Sequence, residues 1–178
     1  MRWAIVRFPG ANCDEDARFA LEKAGIRAEF VWHTERDLRG FDGVFLPGGF
    51  SYGDYLRAGA LAAKSPVMEA VRRFAEEGRY VVGVCNGFQI LTEAGLLPGA
   101  LLANLNLHFT CKEVGVRVER NDLPFTRLYP RGQVLRLPIA HGEGRFYVGE
   151  PALAQMRDKG QILFRYSDNP NGAVDDIA

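Results

Sequence analysis

The chain has no excess of either charge: 22 Lys and Arg stand against 22 Asp and Glu, a formal net charge of zero. That excludes nucleic-acid binding through a bulk basic surface, although a local anion site stays open. No apolar run approaches the length needed to cross a bilayer. Met1-Arg2-Trp3 leads straight into strand-like sequence, without the charged and apolar stretches of a signal peptide. Cysteine is scarce: Cys13, Cys85 and Cys111 are odd in number and widely spaced, with no CxxC and no Cys/His cluster. Neither a disulfide framework nor a metal site is suggested, and a reducing cytoplasmic setting is expected. Repeats, low-complexity tracts and linkers are also missing, so the 178 residues are expected to form a single domain with a sizeable core. Neither a GxxxxGK[ST] loop nor a dinucleotide GxGxxG occurs.

What is present is an alternation of strand and helix signals. Arg2–Phe8 reads as a strand ended by Pro9-Gly10. Asp14–Ala24 reads as a helix, because Ala17, Ala20, Leu21 and Ala24 share a face, acids fill the first turn and Gly25 follows. Ile26–Trp32 and Gly43–Leu46 are the next strands. Pro66–Glu77 is a helix entered by Ser65-Pro66 and closed by Gly78. Tyr80–Val84 is a continuous apolar strand of the kind buried on both faces, and Asn86–Ala94 is a helix stopped by Gly95. This order predicts an α/β fold, a mostly parallel sheet with helices on both faces. After about residue 112 the pattern shifts to strands at Val114–Val118, Val134–Ile139, Phe146–Val148 and Ile162–Tyr166, with a weak helix near Pro151–Lys159. These are expected to be antiparallel strands added to the sheet or forming a flap beside it.

The chemistry concentrates at Gly83-Val84-Cys85-Asn86-Gly87-Phe88-Gln89, of the form G-x-C-x-G-x-Q. A nucleophile between a buried strand and a helix sits on a sharp, strained turn. Side chains two residues before and two after would collide with that turn, so both positions favour glycine. The following helix points its unbonded N–H groups and positive dipole end at Cys85, an arrangement that favours a thiolate. The backbone N–H of Asn86 would face an oxyanion formed by attack at Cys85. The competing reading is an inert cysteine with incidental glycines.

Leu46-Pro-Gly-Gly-Phe-Ser-Tyr-Gly-Asp54 also follows a strand, and so belongs to the carboxyl edge where open α/β sheets bind ligands. Gly48-Gly49 is either a simple turn or a close backbone approach to substrate, with the N–H of Gly49 or Phe50 as a second oxyanion donor. His141 in IAHGEGR stands at a strand end and reads as either a cleft residue or a hydrogen-bonding strut. Asn104 and Asn106 in LLANLNLHFTCK read as either polar substrate contacts or ordinary loop residues. Cys13, before a helix but without flanking glycines, ranks below Cys85, and Cys111 reads as structural.

Taken together, these segments resemble the triad (class I) glutamine amidotransferases, which have a flavodoxin-like α/β fold. More narrowly, they resemble the family of small glutaminase subunits of phosphoribosylformylglycinamidine synthase. The resemblance rests on FPGANCDEDA (8–17), PGGFSYGDYLRAGA (47–60), GVCNGFQIL (83–91), FTCK (109–112), IAHGEGRFY (139–147) and NPNGAVDDIA (169–178). It implies that the Cys85 thiolate attacks the carboxamide of glutamine and that ammonia leaves. Water then hydrolyses the thioester to glutamate. Gly48, Gln89, Asn106 and His141 become candidate substrate-binding positions, and the backbone of Gly49, Phe50 and Asn86 the oxyanion hole. It further implies a large synthetase partner using ATP and magnesium, a small bridging subunit, and no cofactor in this chain. The family completes its triad with a C-terminal Pro-His-Pro-Glu segment, which does not occur here. The expectation is therefore an amidotransferase domain lacking its C-terminal catalytic segment. The alternative is a non-catalytic binding subunit of the same fold.

Overall fold

The computed structural model describes residues 1–178 as two compact units, Met1–Leu97 and Pro98–Ala178. The first contains β1 (Arg2–Arg7), α1 (Asp14–Lys23), β2 (Arg27–Trp32), β3 (Gly43–Leu46), α2 (Val67–Glu76), β4 (Tyr80–Gly83) and α3 (Asn86–Glu93). Its four strands are all parallel, in the order β2-β1-β3-β4.

Strand periodicity of two sorts the side chains onto two faces. Ala4, Val6, Val44 and Leu46 pack with Val67, Ala70, Val71 and Phe74 of α2 and with Ile90 and Leu91 of α3. Trp3 and Ile5 point the other way, onto Ala17 and Leu21 of α1. Helices therefore cover both faces, as the alternation predicts. Each fully buried side chain such as Ile5, Val71 or Ile90 contributes roughly 1.5–3 kcal/mol through the apolar surface it removes from water. One expectation changes: β4 is an edge strand of this sheet, and Val81, Val82 and Gly83 are half-buried rather than enclosed on both faces.

The second unit contains β5 (Ala100–Leu102), β6 (Thr110–Val118), β7 (Val134–His141), β8 (Arg145–Tyr147), α4 (Glu150–Asp158) and β9 (Phe164–Tyr166). Its strands are antiparallel, as expected, but they form sheets of their own, β5-β8 and β7-β6-β9. Val114, Val116 and Val118 are buried at alternate positions of β6. β6 starts earlier and β7 ends later than the sequence suggests, because Thr110↔His141 still pairs at the far end of their ladder.

Candidate active site

Parallel strands bring their carboxyl ends to one edge, and where β2 and β3 depart to opposite sides of β1 the following loops diverge to leave a crevice. Three loops meet at this edge: 8–13 after β1, 47–54 after β3, and 84–85 after β4.

The third loop is a nucleophile elbow. Cys85 has φ 53° and ψ −113° and caps α3, a conformation strongly disfavoured for a residue with a side chain. Its carbonyl accepts the N–H groups of Phe88 (2.9 Å) and Gln89 (3.1 Å), so the helix begins at once behind the thiol. Cys85 is exposed. The flanking glycines are sterically required. A β-carbon on Gly83 would lie 2.6 Å from the carbonyl oxygen of Gly87, and one on Gly87 2.6 Å from the Leu46 carbonyl carbon. As the first residue of α3, Asn86 has no carbonyl within the helix to receive its N–H.

Gly48 fills the space beside the nucleophile, where an added β-carbon would sit 3.3 Å from Cys85 Cβ and 3.7 Å from Cys13 Cβ. Gly49 has φ 127° and presses against the 8–13 loop, with the Asn12 nitrogen 2.6 Å from where its β-carbon would be. Only glycine fits both constraints. The two candidate donors of this loop differ. Phe50 donates its N–H to the Gly10 carbonyl at 3.1 Å, which leaves Gly49 as the better-placed second donor. Behind them Ser51–Asp54 forms a 3-10 turn with Tyr52, Gly53 and Asp54 all at positive φ.

Gln89 is 8% exposed, and its Oε1 accepts a hydrogen bond from Asn86 Nδ2 at 2.9 Å. Cys13, at the N-terminal cap of α1, is half-buried. Burial pushes its thiol pKa up, helped by the nearby Asp16, Cys85 and Asp14, so the helix end does not activate it.

The structure thus brings Gly48, Gly49, Phe50, Cys85, Asn86 and Gln89 together within the first unit, while Asn106 and His141 belong to the second. Asn104, fully buried, donates to the carbonyls of His108 (2.8 Å) and His141 (2.9 Å) and accepts from Gly144 N–H at 3.1 Å. It is a structural strut. Asn106 is exposed and accepts the His108 N–H within its own turn. The His141 ring packs on Gly144, with Nε2 3.1 Å from Asn171 Nδ2, and burial lowers its pKa. Sequence reading missed the 8–13 loop as a wall of the site. Its place after β1, at the switch in strand order, is the signal that points to it.

The whole chain, residues 1–178, matches the model of the CobB/CobQ-like glutamine amidotransferase domain. It is 86% identical to phosphoribosylformylglycinamidine synthase subunit PurQ of Thermus thermophilus, over 100% of this chain and 82% of that protein. The PurQ subunit of a Synechococcus strain is 58% identical over 100% of this chain and 80% of that protein. Among solved structures, PurLQS from Thermotoga maritima superposes with a TM-score of 0.90 at 42% identity, covering 99% of this chain and 79% of that one. The glutaminase domain of Trypanosoma brucei CTPS, 16% identical over 93% of this chain and 75% of that one, shares the fold with a TM-score of 0.57.

Proposed function

Because the chain belongs to the glutamine amidotransferase family and matches PurQ subunits over its full length, we propose that it is the glutaminase subunit of phosphoribosylformylglycinamidine synthase. The observation that carries the chemistry is Cys85, exposed on a strained elbow at the start of α3. The thiolate attacks the γ-carbonyl carbon of glutamine, and the carbonyl electron pair moves onto oxygen. That oxyanion rests on the N–H groups of Gly49 and Asn86. The C–N bond then breaks, ammonia departs with an added proton, and a γ-glutamyl thioester remains on Cys85 until water releases glutamate. Gly48 leaves room for the substrate beside the sulfur, and Gln89 lines the site with its amide anchored by Asn86.

The departing nitrogen needs a proton donor and the thioester an activated water. Family resemblance assigns both to the Pro-His-Pro-Glu segment, which residues 1–178 do not contain. The chain spans about four fifths of the length of the curated relatives it matches.

The ammonia aminates formylglycinamide ribonucleotide on the large synthetase subunit, and the PurLQS neighbour supports assembly with PurL and PurS partners. ATP and magnesium are proposed to act in that partner, and the complex to work in the cytoplasm. Relatives named as synthase subunits do not favour a purely non-catalytic role. The test is glutamate and ammonia release by the assembled complex. Activity lost in Cys85→Ala and kept in wild type supports the reading, and a wild-type complex without glutamine turnover refutes it.

A further inference from the structure

The residue beside the nucleophile contributes more than its backbone N–H. The Asn86 side chain is buried, with the residue 1% exposed. Its Oδ1 accepts the Ser51 N–H at 3.2 Å, while Nδ2 donates to Asp54 Oδ1 at 3.2 Å and Gln89 Oε1 at 2.9 Å. The partners dictate this orientation. Turned over, the amide NH2 would face the Ser51 donor and its oxygen would face two acceptors. One side chain therefore grips both ends of the Ser51–Asp54 turn. Tyr52 (φ 55°) and Asp54 (φ 54°) are held left-handed in that turn, a state that persists only when the surroundings enforce it. The turn starts two residues after Gly49.

We propose that Asn86 is a positioning residue for the oxyanion hole: its side chain locks the Ser51–Asp54 turn, and with it the Gly49 N–H, onto the elbow that presents Cys85. The inference rests on the glutaminase reading above. Donors fixed before substrate arrives need no reorganisation when the oxyanion forms, which is where such groups have most effect. The turn also has independent anchors. Tyr52 OH lies 2.9 Å from both His33 Nδ1 and Ser65 Oγ, and Tyr52 N–H donates to the Pro9 carbonyl at 2.6 Å. Altering Asn86 therefore shifts the donors and leaves the loop folded.

Two reactions at Cys85, measured in the assembled complex, separate positioning from general disruption. Glutamine turnover builds an oxyanion, whereas alkylation by iodoacetamide is a direct displacement that builds none. Asn86→Asp keeps the acceptor for Ser51 but sets a carboxylate oxygen against both acceptors of the lost donor, Asp54 Oδ1 and Gln89 Oε1. It is expected to lower kcat for glutamine by about 30- to 100-fold, somewhat less than outright loss of an oxyanion donor, with KM changed less than about threefold. The limiting iodoacetamide rate on the alkaline plateau, where any change in thiol ionisation caused by the new carboxylate drops out, should stay within about twofold of wild type, because its transition state does not use the hole. The double variant Asp54→Asn/Asn86→Asp exchanges donor and acceptor and should recover about tenfold or more in kcat, as expected of directly coupled residues. Unchanged kcat in Asn86→Asp, parallel loss of both reactions, or no recovery in the double variant each overturn the inference. An inert wild type refutes the glutaminase reading and this inference with it; an active wild type beside an unaffected Asn86→Asp refutes the inference alone.

Discussion

Gly87 lies against the carbonyl of Leu46 so closely that any β-carbon on it would overlap the oxygen and sit 2.6 Å from the carbon. Leu46 ends β3, and its carbonyl also accepts the Val84 N–H at 3.1 Å, so neither partner can retreat without breaking the ladder that carries the elbow. Gly87→Ala is therefore expected to destabilise the protein by about 1–3 kcal/mol, the usual cost of overpacking against backbone. Gly83→Ala should act in the same direction, because its β-carbon would meet the Gly87 carbonyl at 2.6 Å. Chemical denaturation measures the first effect. The elbow's dependence on both glycines is checked by the rate at which a glutamine-mimicking chloroketone labels Cys85, which should fall at least tenfold in either variant.

The cysteines should differ in reactivity for separate physical reasons. Cys111 is exposed on β6 of the second unit, on a regular strand rather than at a helix start, and Cys13 is half-buried with its pKa raised by burial and by neighbouring acids. A glutamine-like chloroketone at neutral pH is expected to give one adduct, on Cys85, by mass spectrometry of the digested protein. Cys13 should become labelled only at clearly alkaline pH, where its thiol ionises. An early adduct on Cys13 would contradict the burial that the structure assigns to it.

Sequence reading found the elbow because its glycines record a steric fact: Gly83 and Gly87 face each other and the Leu46 carbonyl across a few ångströms. The parallel core was equally legible, since period-two strands and period-3.6 helices impose their patterns on local sequence. What escaped was contact between distant segments. Nothing in the sequence near Asn86 announces that its amide binds Ser51 and Asp54. Nor does FPGANC reveal that Asn12 and Cys13 line the space around Gly48 and Gly49. Ala100–Leu102 pairs with Arg145–Tyr147 over three residues, too short for alternation to register. The polar candidates Asn104 and His141 could not be sorted from sequence because a buried strut and a substrate ligand use the same groups.

His141 gives the second unit a defined response to acid. Burial favours its neutral form in the folded state, so its pKa there lies below the ordinary 6.5. On acidification the unfolded chain takes up this proton first. The contribution of His141 is therefore complete above about pH 6.5, declines as pH falls from there toward the lowered folded value, and changes no further below it. Denaturant melts at pH 7.5 and 5.5 are expected to show wild type losing stability on acidification. His141→Gln, which cannot titrate, should lose measurably less. An equal or larger loss in the variant would show that the imidazole is not held neutral by the fold.

Asn104 and Asn106 make the sharpest test of strut against surface, because they are the same residue type two positions apart. Asn104 is fully buried, and its amide closes bonds with the carbonyls of His108 and His141, the Thr110 hydroxyl and the Gly144 N–H. Truncation would strand several of these groups away from water, each at a cost of about 1–3 kcal/mol if left unpaired. Asn106 is exposed, and its Oδ1 serves only the His108 N–H, which solvent can replace. Asn104→Ala is therefore expected to destabilise by roughly 3 kcal/mol, and Asn106→Ala by about 0.5 kcal/mol or less, in urea denaturation. If Asn106→Ala instead raises KM for glutamine several-fold with stability unchanged, its role is in substrate binding. If both variants melt alike, the polar knot around His141 is not what holds this part of the second unit.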